Sequence, residues 1–119
     1  MKKTDLQKCF DDFNFKYFNN RLHDVVIRWS KSKTLTLGGE KIIGYCQCSG
    51  DIFKPNEIVI SKNLFIRKSK WLYKLILLHE MIHLDLFLSD KEDENNHHGP
   101  MFNREMLRLA KKGAFVGIW

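Results

Sequence analysis

Lys70-Trp71-Leu72-Tyr73-Lys74-Leu75-Ile76-Leu77-Leu78-His79-Glu80-Met81-Ile82-His83-Leu84-Asp85-Leu86-Phe87-Leu88 is the stretch on which the fold turns. Leu72, Leu75, Ile76, His79, Ile82, His83 and Leu86 recur with a period near 3.6, which predicts one long amphipathic helix from Ser69 to about Leu88. Inside it sits His79-Glu80-Met81-Ile82-His83, the H-E-x-x-H arrangement. Side chains four apart stack on one helix face, so two imidazoles reach one metal ion while the backbone stays regular. Glu80 is rotated by about 100° from His79. That sets its carboxylate beside the ion rather than in the ligand shell, where a general base must stand to take a proton from water.

A catalytic zinc needs three protein ligands and an open position, so a third donor is expected downstream in a segment that folds back. Ser89 to His98 carries Asp90, Glu92, Asp93 and Glu94 with no apolar side chain, and reads as a solvated loop. It ends in His97-His98, followed by the rigid turn Gly99-Pro100. A pair of packed core histidines explains the helix motif alone, but not a second histidine cluster after a loop that reverses direction. Spacing does not choose between His97 and His98. Asp85 lies about 200° round the helix from His83 and faces away. Glu92, Asp93 and Glu94 read as a solvated run, and His23 as a surface or strand-end residue.

Upstream, Thr4-x-x-Gln7 has the form of a capping box, and Leu6, Phe10, Phe13 and Tyr17 follow at helical spacing, with Phe18 on the same face. This predicts a helix from about Asp5 to Phe18, ended by Asn19-Asn20 in the left-handed conformation. Val25 to Trp29 and Leu35 to Leu37 are read as paired strands, Lys41 to Cys48 as a third, and Glu57 to Ser61 as a half-buried fourth. Downstream, Pro100 opens a last helix whose inner face is Phe102, Met106, Leu109 and Ala110; Gly113 stops it, and the tail Ala114 to Trp119 is apolar enough to dock back. The expected fold is α+β: an N-terminal helix, a small mostly antiparallel sheet of three to four strands, the long helix, and a C-terminal helix.

The chain has 119 residues, 44% of them hydrophobic, with 20 Lys plus Arg against 14 Asp plus Glu and a net charge of +6. That is one domain, 1–119, too apolar for intrinsic disorder. No uncharged apolar run is long enough to span a bilayer, since Lys74, His79, Glu80, His83 and Asp85 interrupt the best one. Met1-Lys2-Lys3-Thr4-Asp5 has no apolar stretch behind it, so no secretory signal is read and the protein is expected inside the cell, in cytoplasm or nucleus. Cys9, Cys46 and Cys48 form no disulfide framework and are expected as reduced, buried, inert thiols.

His79-Glu80-Met81-Ile82-His83 followed by His98-Gly99-Pro100-Met101-Phe102 resembles the SprT-like family of zinc metallopeptidases, which includes the Spartan proteases, where the helix motif precedes an H-G-x-x-F segment. Tyr17 to Leu22, Val25 to Ser30, Gly44-Tyr45-Cys46 and Glu57 to Leu64 resemble that family's segments in the same order, so the likeness runs from about Phe10 to the C-terminus. The resemblance implies a zincin-like core, one catalytic Zn2+ held by His79, His83 and His98, and Glu80 as general base for peptide hydrolysis. In the family it resembles, many bacterial members carry a cysteine-rich zinc ribbon after the core and Spartan carries long recruiting tails; neither occurs within these 119 residues.

In zincins an edge strand pairs with extended substrate through the backbone. Gly44 to Ser49 is the expected edge, and Tyr45, His97 and Arg104 are candidate oxyanion donors. Lys62, Arg67, Lys68, Lys70 and Lys74 precede or open the long helix, and Arg104, Arg108, Lys111 and Lys112 line the last one. These charges serve solubility or, as the resemblance to DNA-dependent proteases of DNA–protein crosslinks implies, contact phosphates of DNA, especially single-stranded. Trp71 or Tyr73 beside them suits stacking on unpaired bases. A monomer is expected. The rival readings are a non-catalytic zinc-stabilised nucleic-acid-binding module, closed by a fourth ligand such as His97, and a different zinc hydrolase such as a small metal-dependent ribonuclease, against which Glu80 and the long loop argue.

Overall fold

The computed structural model describes residues 5–23, 25–32, 35–37, 39–48, 55–62, 70–89 and 99–114. Helix α1 spans Asp5–Phe18. Its Leu6, Phe10, Phe13 and Phe18 are buried, each such side chain contributing about 1.5–3 kcal/mol relative to exposure. Asn19 and Asn20 end it with φ of 52° and 58°, the left-handed conformation expected of them. Asn14 is buried on the same helix: its Nδ2 donates to the Leu22 carbonyl at 3.0 Å, and its Oδ1 accepts from the Leu22 N–H at 3.2 Å. This two-way clamp folds the following segment back along the helix. Gln7 reaches Asp11 at 3.1 Å; Thr4, its expected capping partner, lies outside the described residues.

Five strands follow among the described residues: β1 Val25–Trp29, β2 Leu35–Leu37, β3 Glu40–Ile42, β4 Gly44–Gln47 and β5 Asn56–Ile60. Their pairing differs from the sequence expectation. β1 runs parallel to β5, from Val25 opposite Asn56 to Trp29 opposite Ile60, and β2 pairs instead with β3, antiparallel. The stretch read as one strand from Lys41 to Cys48 is broken at Ile43, where the chain changes partners and β4 joins β5 antiparallel. The resulting sheet has the order β1-β5-β4. β5 is therefore central, and Ile58, Val59 and Ile60 are all fully buried rather than alternating, as in a strand covered on both faces. β4 is an edge of this sheet among the described residues, as expected.

Helix α2, Lys70–Leu88, packs against β4, β5 and α1. Leu77, Leu78, Met81, Ile82 and Leu84 are fully buried, whereas Leu72 is exposed. The expected single stripe is thus corrected to a helix enclosed on nearly all sides over its central turns. The contact with β4 is close: a Cβ on Gly44 would lie 2.6 Å from Ile76 Cγ2 and 3.2 Å from the Val59 carbonyl oxygen. Tyr73 meets Trp29 edge-on at 5.3 Å. Burial, with the nearby Cys9 next, pushes its hydroxyl pKa up to about 12.

Helix α3, Pro100–Lys111, begins as expected with Pro at its start and ends before Gly113, whose φ is +81°. Phe102 and Leu109 are buried and Met106 packs partly against the core. Ala110 is exposed rather than inward. Ala114 is buried and its N–H donates to the Leu109 carbonyl; the rest of the tail lies outside the described residues.

Candidate metal centre

His79 and His83 stand one turn apart on α2, their ring centroids 4.9 Å from each other at an interplanar angle of 72°. Helical spacing alone produces this convergence. Glu80, one residue on, is buried, and its Oε1 lies 3.8 Å from His79 Nε2, while the His79 side chain keeps 32% of its surface. A buried carboxylate thus borders the partly open ring of His79, with a second imidazole one turn on.

The second element at the site is α3. Phe102 stacks on His83 at 4.7 Å and 29°, and meets His79 edge-on at 4.8 Å. One ring therefore limits the rotation of both imidazoles. Read from the sequence, Phe102 was an inner-face residue of a helix. Its contact with the histidines was not read from the sequence. Gly99 is the N-cap of α3, in extended conformation, and its carbonyl accepts from the Asn103 N–H at 3.0 Å.

His97 and His98, the sequence candidates for the third ligand, lie outside the described residues, as do Glu92, Asp93 and Glu94. Among the described residues no third His, Cys, Asp or Glu joins His79 and His83 in a group able to hold a metal. Asp85 does face away, and the structure shows what it faces: Arg21 Nε at 2.7 Å and Arg21 Nη2 at 2.9 Å, a two-pronged pair with the carboxylate buried. His23 is exposed. Tyr45 and Arg104 gain no support as oxyanion donors. Residues alternate across a strand, so Tyr45 projects from the face opposite to Gly44, which touches α2; Arg104 is exposed on α3.

The donor set fits a divalent metal ion. Two imidazoles at ligand spacing, held by a shared aromatic ring and bordered by a carboxylate, are borderline-soft nitrogen donors of the kind zinc prefers.

Comparison with known proteins agrees with this geometry. The SprT-like family model matches residues 6–116. The chain is similar to the DNA-dependent metalloprotease SPRTN of Homo sapiens, 33% identical over 116 residues that cover 97% of this chain and 22% of that protein. It is also similar to the Bos taurus protein of the same name, 35% identical over 120 residues, covering 97% of this chain and 22% of that protein. A third relative is the DNA-dependent metalloprotease dvc-1 of Caenorhabditis elegans, 28% identical over 109 residues, covering 92% of this chain and 28% of that protein. The chain thus spans between a fifth and a third of the length of these relatives. With a family match running almost from end to end and an H-E-x-x-H helix placed as described, the chain belongs to the SprT-like family.

Proposed function

We propose that residues 1–119 form a zinc-dependent endopeptidase domain. The observation that carries this reading is the placement of Glu80, buried and 3.8 Å from the ring of His79, beside a second imidazole one turn on. His79 and His83 would hold the ion, with His98 as the third ligand. His98 directly precedes Gly99, the cap of the helix whose Phe102 packs on both imidazoles, and the family resemblance favours it over His97. A zinc ion held there would supply an acidified water and Lewis-acid polarisation of the peptide carbonyl.

Glu80 accepts the proton of the attacking water on a carboxylate oxygen and returns it to the departing amine. Its burial strengthens the field it exerts on that proton. Phe102 keeps both rings from turning away from the ion. The substrate lies along β4. The Ser61 N–H donates to the Ile43 carbonyl at 2.9 Å, so by the alternation of an antiparallel ladder Ile43, Tyr45 and Gln47 turn their backbone groups to β5. Gly44 and Cys46 turn theirs outward, with Cys48 next in phase, and an extended peptide pairs with them independently of its sequence.

Protein bound to DNA is the substrate class we infer, because the relatives are named DNA-dependent metalloproteases and the chain carries a net charge of +6. This reading places the protein inside the cell, acting as a monomer. Zinc-loaded protein is expected to digest histone, or itself, faster with single-stranded DNA than without, and to stop on chelation. Zinc bound in a closed four-ligand site, with no cleavage under either condition, would favour a structural metal in a nucleic-acid-binding module.

A further inference from the structure

Cys46 of the edge strand and Cys48, one residue past its end, are unused by the hydrolytic reading, and the structure half-buries both rather than enclosing them as inert thiols. Cys46 Sγ and Cys48 Sγ lie 3.0 Å apart, and both residues are half-buried. Cys9 is elsewhere, on α1, with its sulfur 3.9 Å from Tyr73 Oη. Cys46 lies in β4 and Cys48 directly follows its last residue, Gln47; where the chain stays extended, side chains two apart share a face and their Cα atoms are separated by about 6.5 Å. Disulfides span about 4.4–6.8 Å between Cα atoms, so this pair falls inside the range, near its upper end. Two sulfurs already in contact need only a small approach to bond. That approach draws the end of β4 together around Gln47.

We propose that Cys46 and Cys48 form a dithiol–disulfide site whose oxidant is a small disulfide such as oxidised glutathione. One cysteine thiolate attacks a sulfur of the oxidant, whose S–S bond breaks and releases one thiol with the electron pair. The second cysteine thiolate attacks the protein sulfur of that mixed disulfide, forming the Cys46–Cys48 bond and releasing the second thiol. The protein loses two electrons and two protons, and both appear in the two small thiols. The consequence for activity rests on the edge-strand reading above. Cys46 belongs to the set whose backbone groups face outward, so drawing it toward Cys48 puckers the line on which an extended peptide pairs. The oxidised chain therefore holds substrate more weakly than the reduced chain.

The test equilibrates the zinc-loaded full chain in buffers of rising oxidised-to-reduced glutathione ratio, followed by acid quench, alkylation and peptide mapping by mass. The expected product has lost two hydrogens, links Cys46 to Cys48 and leaves Cys9 alkylated, while Cys48→Ser carries glutathione on Cys46 instead. Cys46 and Cys48 that stay alkylatable throughout, or that each carry glutathione unlinked, overturn the site. In the linked form KM for a peptide substrate rises several-fold and falls again on reduction. The doubly substituted Cys46→Ser, Cys48→Ser chain shows the same KM in both buffers. A link that forms without moving KM overturns the coupling to β4. A chain that cleaves nothing in either buffer fails the peptidase reading, and the mass result still decides the dithiol.

Discussion

Asp85 is two residues past His83 and serves a different purpose on the far side of the same helix. Its side chain is 4% exposed and that of its partner Arg21 39% exposed. Arg21 also donates to the Phe18 carbonyl and lies over the Phe18 ring. Hydrogen bonding to Asp85, opposed by partial burial, raises the guanidinium pKa above its ordinary value. The unequal exposure makes a directional prediction. Arg21→Ala strands a buried carboxylate without a counter-charge and costs about 3 kcal/mol; Asp85→Ala leaves a cation that water can reach and costs less. Urea unfolding of both variants checks the order, and equal losses contradict it. The sequence showed that Asp85 points away from the metal, because helix geometry alone says so. It did not show Arg21, since a contact between residues 64 positions apart leaves no local signal.

At the scale of elements, the helices were legible and the sheet order was not. α1, α2 and α3 carry their own punctuation: Asn19-Asn20, the long apolar period, and Pro100 with Gly113. The partner of β1 lies far along the chain in β5, and a parallel pairing across an intervening hairpin cannot be read from alternation within either strand. The break between β3 and β4 was hidden for a related reason. Ile42, Ile43 and Tyr45 suit a strand throughout, and only the close seat of Gly44 against Ile76 reveals where the chain turns to meet α2. That seat yields a prediction. Gly44→Ala places a methyl against Ile76 and the immobile Val59 carbonyl, an overpacking expected to cost about 1–3 kcal/mol. Chemical denaturation with an unchanged m-value is the expected signature; unaltered stability would mean that β4 sits farther from α2 than described.

For the whole molecule, the charge that composition reports as a single sum is unevenly committed. Arg108 is tied to Glu105 and to the Tyr17 carbonyl and lies over Phe18, so it belongs to the fold. Arg104 and Lys111 on the same helix and Lys112 at its C-cap are exposed, as is Lys62. Removing Arg104, Lys111 and Lys112 together is expected to weaken binding of single-stranded DNA and to lower the slope of log K against log salt by about 2. Titrations by fluorescence anisotropy at several salt concentrations measure this, and an unchanged slope places the DNA surface elsewhere. The α+β class and the His79, Glu80 and His83 constellation were readable because periodicity and fixed helical spacing determine them. His97 and His98 were readable only as a pair, because loop conformation is set by packing that the local sequence does not encode.

In the proposed mechanism Glu80 moves the proton while the histidines hold the metal. Glu80→Gln keeps the shape and loses the basicity, so measuring bound zinc and protein cleavage on the same purified sample separates the two roles. The expected result is one zinc per chain with cleavage reduced by about 100-fold or more. Cleavage at the wild-type rate by the zinc-loaded variant would contradict the account.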